Sequence, residues 1–248
     1  MIKVDNLSKV YGSFAAVTDL TFGVAPGEVM GLVGPNGAGK TTTLRCMVGI
    51  IPPTRGDIRI CGHSLLQDPI AAKRSISFMP DEPRLFEYLT VTEHLQFTAR
   101  IYGVPDVEKL SKELLEELEL SDKKDALPSE LSRGMKQKLV IACGLLHSPK
   151  VLLFDEPLTG LDPLGIRHIK TTILKRAAEG ASVIISSHLL HLVEEMCGRI
   201  LILKEGRKVV YGSLQEISGS LPELRGDTNL EDIFIRVTAH EDGRAEQR

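Results

Sequence analysis

A chain of 248 residues with 42% hydrophobic and 25% charged residues has the composition of a globular protein that buries a large core. Its net charge of −3 and its lack of tryptophan argue against nucleic acid as a partner, since a broad nucleic-acid surface needs basic groups and stacking aromatics. The longest apolar run, Leu139 to Leu146, is far shorter than the roughly 20 residues of a membrane span, and the four scattered cysteines predict neither a zinc site nor a disulfide frame. We therefore expect a cytoplasmic chain that does not itself cross a bilayer.

The first 30 residues predict antiparallel β-structure. Leu20, Phe22 and Val24 alternate with polar or small residues, so that one face of the strand is apolar at a period of two. Pro26–Gly27 marks a turn before a short apolar strand at 29–33. Residues 56–62 predict a further short strand, and we expect it to join the N-terminal strands in a small β-subdomain.

A glycine-rich segment follows the strand at 29–33 and matches the phosphate-loop pattern G-x-x-x-x-G-K-[ST]. The segment consists of Gly34, Pro35, Asn36, Gly37, Ala38, Gly39, Lys40, Thr41 and Thr42. Its glycines let successive N–H groups turn toward a phosphate chain, its lysine adds positive charge, and the first threonine hydroxyl suits Mg²⁺. The helix predicted from Thr42 to Val48 presents its N-terminus to the same anion. The order of strand, loop and helix therefore predicts a site for nucleotide phosphates.

A helical region is predicted from about residue 85 to residue 146. Thr90 and Glu93 fit a capping box at the start of a helix that ends near Tyr102. Apolar residues between 107 and 118 repeat at helical spacing, Pro128 breaks the chain, and a further helix runs through Leu146.

Two later apolar strands end in residues that suit chemistry at a phosphate. The strand at 151–154 runs into Asp155 and Glu156, and the strand at 181–187 ends beside His188. An apolar run closed by acids is typical of a buried parallel strand whose carboxyl end meets a site. One carboxylate there suits Mg²⁺, and the next can polarise a water for attack on the γ-phosphate.

The chain then predicts a hairpin, a helix and a polar tail. Residues 199–203 and 208–211 form the strands of the hairpin around Glu205–Gly206. Asn229 to Val237 predicts a last helix, and we expect Glu241 to Arg248 to fray.

Taken together and in this order, the motifs resemble those of the ATP-binding cassette (ABC) ATPases, the nucleotide-binding subunits of membrane transporters. The resemblance covers roughly residues 2–215. It implies an α/β fold with a P-loop NTPase core, a mainly parallel sheet, an N-terminal antiparallel β-subdomain and an inserted helical subdomain at about 85–146. Residues 216–248 would then form a short C-terminal helical extension and a frayed tail.

The resemblance also implies roles for residues of this sequence. Tyr11 is expected to stack on adenine, and the phosphate loop at 34–42 to hold the phosphates of ATP. Mg²⁺ is expected at Thr41, Asp155 and Asp81.

The remaining roles concern hydrolysis and the contact between subunits. Glu156 is expected to be the catalytic carboxylate, and His188 to bond the γ-phosphate. Ser132 and Gly134 match the signature segment, and Leu161–Asp162 matches the loop at the dimer contact.

Two segments depart from the usual pattern of the family. Arg133 and Met135 replace a glycine and the glutamine of Leu-Ser-Gly-Gly-Gln, and Asp81 stands where a glutamine is usual. Both changes resemble the branch whose ATPases pair with separate export permeases.

The function that the resemblance implies is ATP-driven dimerisation and hydrolysis that power a membrane transporter. Each ATP would lie between Lys40 of one subunit and Ser132 of another, and the partners would be a polytopic permease and a second nucleotide-binding domain. The chain would then lie at the cytoplasmic face of the membrane. The alternative is a soluble cassette ATPase that acts as an ATP-switched interaction module. A small-molecule kinase would leave the signature segment and His188 unexplained.

Overall fold

The structure, a computed structural model, describes residues 1–220 and 229–239 of the chain. Its strands, in chain order, are β1 (Ile2–Tyr11), β2 (Phe14–Val24), β3 (Val29–Val33), β4 (Arg55–Ile60), β5 (His63–Ser64), β6 (Ile76–Met79), β7 (Val151–Asp155), β8 (Ser182–Ser186), β9 (Arg199–Lys204) and β10 (Arg207–Gly212). Its helices are α1 (Lys40–Met47), α2 (Pro69–Arg74), α3 (Val91–Tyr102), α4 (Val107–Glu117), α5 (Arg133–Leu145), α6 (Pro163–Ala178), α7 (Leu190–Met196), α8 (Leu214–Ser220) and α9 (Leu230–Ala239).

The core sheet has the strand order β10-β9-β3-β8-β7-β6. Every neighbouring pair in it is parallel except β9 and β10, which form the predicted antiparallel hairpin. Parallel pairing brings the carboxyl ends of β3, β7 and β8 to the same edge of the sheet, which is where ligands bind in open α/β folds. The predicted α/β fold with a mainly parallel sheet is confirmed.

A second sheet, with the order β2-β1-β4-β5, is antiparallel throughout and forms the predicted N-terminal β-subdomain. The two faces of the core sheet pack against different layers, because successive strand residues point to opposite faces. In β7, Val151 and Leu153 belong to a core shared with the antiparallel sheet, whereas Leu152 and Phe154 pack toward the helical region. β7 is therefore buried on both faces, as its unbroken apolar sequence predicts.

The helical region contains α3, α4 and α5, whose apolar faces share one core with the sheet. The capping box at the start of α3 is confirmed: Thr90 Oγ1 accepts from the Glu93 N–H at 3.2 Å, and Glu93 Oε2 accepts from the Thr90 N–H at 2.7 Å. The first helix of this region runs from Val91 to Tyr102, with the start and end that the sequence predicts. The preceding segment is held against α3, because the Phe86 N–H donates to His94 Nε2 at 3.0 Å.

The C-terminal residues that the structure describes cover one face of β9. The predicted last helix is α9, and its Leu230 and Ile233 pack with Ile200 and Ile202 of that strand. The predicted fraying tail from Glu241 to Arg248 lies outside the described residues, and the domain boundary near residue 215 stays a prediction. No helix within residues 1–220 or 229–239 combines the length and apolar character that crossing a membrane requires.

Candidate nucleotide and catalytic site

The predicted phosphate loop connects the end of β3 to the start of α1 and is pressed against neighbouring backbone. Gly39 has a φ of 100°, and a Cβ atom at this position would lie 2.6 Å from the carbonyl oxygen of Ala16 in β2. A Cβ at Gly34 would collide with the carbonyl oxygen of Leu203 in β9. Both positions therefore require glycine, for space and, at Gly39, also for backbone angle.

Lys40 is buried within this loop, with 9% of its surface exposed. Its ammonium group donates to the carbonyl oxygens of Gly34 at 2.6 Å and Pro35 at 3.2 Å. Burial lowers the pKa of Lys40, and the nearby charges of Glu156 and Asp155 oppose that change. Neutral carbonyls compensate the charge of a buried ammonium ion poorly, so an anion placed against the loop is a better partner than the loop itself.

Asp155 is the last residue of β7 and is almost fully buried. Its Oδ1 atom accepts a short hydrogen bond of 2.5 Å from Ser186 Oγ. Ser186 is the last residue of β8 and pairs directly with Asp155 in the parallel ladder. Sequence reasoning missed Ser186, although its place at a strand end two residues before His188 is a signal that could have found it.

Glu156 follows Asp155 in a left-handed backbone conformation with a φ of 51°. Such a conformation is uncommon for a residue other than glycine and is often found at functional sites. The Glu156 N–H donates to the carbonyl oxygen of Ser186 at 3.0 Å, which fixes the turn. This turn directs the carboxylate toward the end of β8.

The structure brings Glu156 and His188 into direct contact. His188 Nδ1 lies 2.8 Å from Glu156 Oε2, and the His188 N–H donates to the same oxygen at 3.3 Å. The imidazole side chain is more than half exposed, whereas the carboxylate is mostly buried. The two residues that the sequence predicts for catalysis thus form one hydrogen-bonded pair. The negative charge of Glu156 also raises the pKa of Lys40, against the larger effect of burial.

Tyr11 ends β1, at the turn between the first two strands, and is 47% exposed. The ammonium group of Lys9 lies 4.9 Å from the centre of its ring. Phe14 pairs with Tyr11 across the turn and is also exposed, which the sequence analysis did not predict. Since β2 also carries Ala16, which packs on Gly39, this turn adjoins the phosphate loop.

Ser132 and Gly134 lie at the start of α5. Ser132 caps the helix, because its Oγ atom accepts from the Met135 N–H at 3.2 Å. A Cβ atom at Gly134 would lie 3.0 Å from Leu161 Cδ2, so the helix start packs closely on the loop after β7. Asp162 caps α6 in turn, with Oδ1 accepting from the Gly165 N–H at 2.8 Å.

Asp81, the third predicted metal ligand, has a partner within the chain. Its Oδ1 atom lies 3.2 Å from a guanidinium nitrogen of Arg133, and both side chains are about half exposed. Two of the three positions that depart from the family pattern are therefore in contact with each other.

A divalent cation at this site would depend on oxygen atoms of a bound phosphate. Across residues 1–220 and 229–239, no group of three or more His, Cys, Asp and Glu side chains is arranged to hold a metal by itself. Thr41 lies next to Lys40 in α1, and Asp155 is close enough to Lys40 for its charge to raise the pKa of the lysine. One hydroxyl, one carboxylate and phosphate oxygens form the hard-oxygen set that suits Mg²⁺.

Comparisons with known proteins agree with this geometry. The sequence model of a family described as "ABC transporter" matches residues 17–159. The Nod factor export ATP-binding protein I of Paraburkholderia xenovorans (strain LB400) is 39% identical over 214 residues, which cover 86% of this chain and 70% of that protein.

Two solved structures are similar to the chain over almost its whole length. One, described as the structure of the ATP-binding subunit of an ABC transporter, has a TM-score of 0.91 at 36% identity and covers 96% of this chain and 99% of its own. The other is a dimeric ATP-binding cassette in a post-hydrolysis state bound to ADP and Pi, with a TM-score of 0.79 at 25% identity, covering 91% and 100%.

Proposed function

The chain belongs to the ABC transporter family, and from that premise we propose that it is the subunit that binds and hydrolyses ATP to power a membrane exporter. The observation that carries the proposal is the hydrogen-bonded pair of Glu156 and His188 at the carboxyl ends of β7 and β8. This pair adjoins a loop whose buried lysine responds to the charge of the same glutamate. A site for binding alone would not require a second carboxylate and an imidazole held at this place.

The phosphates of ATP are proposed to bind along residues 34–42. The ammonium group of Lys40 would exchange the carbonyl oxygens of Gly34 and Pro35 for phosphate oxygens, while the N-terminus of α1 faces the same anion. Tyr11 is proposed to stack on adenine, which its exposure and its position beside the loop support.

Mg²⁺ is proposed to bind at Thr41 and Asp155, where it would neutralise charge on the phosphates. The hydrogen bond from Ser186 orients the Asp155 carboxylate and leaves its second oxygen, Oδ2, for the ion or its water. Asp81 joins this set only if its pair with Arg133 opens.

Glu156 is proposed to orient the water that attacks the γ-phosphate, and His188 to bond that phosphate. A neutral imidazole has one N–H, and donation from Nδ1 to Glu156 uses it. Donation from Nε2 to the phosphate at the same time therefore requires the doubly protonated ring. In that state the imidazolium would add positive charge where negative charge accumulates.

The complete site is proposed to need two subunits. Ser132 and the N-terminus of α5 would hold the γ-phosphate of the ATP bound at Lys40 of the partner subunit. Hydrolysis would remove that contact and let the subunits separate. The dimeric relative with ADP and Pi supports this arrangement.

The membrane partner is proposed to dock on an exposed apolar groove formed by residues 85–89 and the α3 residue Phe97. The groove has a volume of about 580 Å³ and is lined by Leu85, Phe86, Glu87, Tyr88, Leu89 and Phe97. Tyr88 is 88% exposed, and large aromatic surface of this kind marks interaction sites.

The export role follows from the name of a relative, the Nod factor export protein. The location at the cytoplasmic face of a membrane follows from such a partner.

The test has two arms. The purified chain should hydrolyse ATP in the presence of Mg²⁺, and Glu156→Gln should lower the rate by a factor of about 100 or more. A wild-type chain without Mg²⁺-dependent turnover would remove the ATPase proposal. Capture of the tagged chain from detergent extract should bring down a polytopic membrane protein. Phe86→Ser combined with Tyr88→Ser should prevent this capture without changing turnover. Ribosomes or other soluble partners in its place would favour the ATP-switched interaction module.

A further inference from the structure

The carboxylate of Asp81 and the guanidinium of Arg133 form an ion pair of 3.2 Å between two segments that are 52 positions apart in sequence. Asp81 follows β6, the edge strand beside β7, and Arg133 is the first residue of α5. The pair therefore joins the margin of the core sheet to the start of the helix that Ser132 caps.

The side chain of Arg133 also touches a third segment. Gly160 has a φ of 76°, and a Cβ atom there would lie 3.3 Å from Arg133 Nε and 3.4 Å from its Cδ. The guanidinium and its stem thus lie beside the backbone of Gly160, which has no side chain and is four positions after Glu156. The next residue of that loop, Leu161, packs on Gly134.

From these contacts we propose that Arg133 is a positioning residue, held by Asp81, that sets the start of α5 against the loop following Glu156. Asp81 acts as the anchor of Arg133 and not as a ligand of Mg²⁺. The inference rests on the proposed function, since positioning matters only if Ser132 and Glu156 serve ATP. In this view Asp81 and Arg133, each a departure from the family pattern, depend on each other.

The physical reason lies in the shape of the guanidinium group. It is planar and always charged, so it can pair with a carboxylate while its stem lies close to backbone that carries no side chain. A Cβ atom at residue 160 would require the Arg133 side chain to shift by a few tenths of an ångström. An isolated ion pair on an exposed surface contributes little to stability, so the pair is expected to act mainly through placement.

A charge-swap cycle in the full-length chain tests the proposal. Asp81→Asn and Arg133→Met should each lower kcat about fivefold, and the double variant should lose about the same factor rather than the product of the two. The swap Asp81→Arg with Arg133→Asp should recover part of the lost kcat, because the opposite charges meet again although the guanidinium no longer lies beside Gly160. KM for ATP and the Mg²⁺ concentration for half-maximal rate should stay unchanged in all of them.

The control is an exposed ion pair on α4, Lys109 with Glu113. Lys109→Met and Glu113→Gln remove comparable charges and should leave kcat unchanged. If Asp81 bound Mg²⁺, Asp81→Asn alone would raise the Mg²⁺ requirement, and the charge swap would be inactive. If Arg133 reached the partner's phosphate directly, the swap would also be inactive. Either result would overturn the proposal.

A measurement without ATP separates this inference from the proposed function. Thermal unfolding of the same variants should show each single change lowering Tm by about 1 to 2 °C and the swap restoring it. Effects on Tm that add independently would contradict the pair even in an active enzyme. A wild-type chain that hydrolyses no ATP would contradict the proposed function, while the Tm cycle would still report on the pair.

Discussion

His188 Nδ1 lies 2.8 Å from Glu156 Oε2, so the imidazole at the end of one strand and the carboxylate at the end of its neighbour form a single unit. The bond fixes the carboxylate on one side and leaves the exposed part of the ring facing outward. Each residue is thereby positioned by the other. The loss of either should affect the chemical step more than nucleotide binding.

Replacing Glu156 by Gln should leave ATP binding intact and lower kcat by a factor of about 100 to 10,000, the range for loss of a general base. The amide keeps the size of the side chain but no longer accepts a proton. Single-turnover hydrolysis of ATP, measured beside equilibrium binding of ATP, checks this. Unchanged turnover would remove Glu156 from its proposed role.

Replacing Ser186 by Ala should lower kcat about tenfold, because Asp155 loses a short hydrogen bond to a charged group. The matched control is Ser187→Ala at the next position. Its hydroxyl accepts from the Leu189 N–H and has no contact with the carboxylate. The measurement is the steady-state rate over a range of Mg²⁺ concentrations. If Asp155 is a metal ligand that Ser186 holds in place, the Ser186 variant should need more Mg²⁺ for its half-maximal rate. Equal effects of the two substitutions would contradict a specific role for Ser186.

Replacing Lys40 by Ala should weaken ATP binding at least about 100-fold, since a buried ammonium ion that meets phosphate is lost. Stability of the chain without nucleotide should change little, because burial of this charge is itself unfavourable and lowers its pKa. Binding of a fluorescent ATP analogue and urea unfolding measure the two effects. Normal affinity would contradict the assignment of the phosphate loop.

The chain should lose stability at alkaline pH. Burial raises the pKa of Cys143 to about 11 and that of Cys197 to about 12, from a reference of 9.0. Because the folded values lie above the unfolded value, the neutral thiols contribute stability that is complete below about pH 9 and is lost as pH rises toward the folded pKa. The free energy of unfolding in urea should therefore fall between about pH 9 and 12.

Cys197→Ala should make this fall smaller, because Cys197 packs against two hydrophobic cores. Cys61→Ala, in the turn between β4 and β5, should leave the fall as in wild type and controls for the loss of a thiol elsewhere in the chain. An identical pH dependence in all three proteins would contradict the role of the buried thiol.

Local sequence signals were sufficient to predict an element where all the residues that specify it lie close together in sequence. The capping box at Thr90, the turn at Pro26–Gly27 and the apolar strand before Asp155 each depend on neighbours in sequence, and the structure has them as predicted. The α6 helix was missed although Asp162 and Pro163 form a standard start signal.

Contacts between distant segments were beyond reach of the sequence alone. Ser186 meets Asp155 because β7 and β8 pair in parallel register, and nothing in either strand specifies that register. Asp81 and Arg133 were singled out as separate departures, yet their contact depends on how α5 sits against the edge of the sheet. In the structure the Asp81 carboxylate lies beside the guanidinium of Arg133, and its expected contact with Mg²⁺ stays a prediction.

The central claim is that one subunit holds half of an ATP site and its partner holds the other half. A crystal structure of the Glu156→Gln variant with ATP and Mg²⁺ tests it most directly. The account predicts two chains around two nucleotides, each γ-phosphate lying between Lys40 of one chain and Ser132 of the other. A single chain that encloses ATP with its own Ser132 would contradict it.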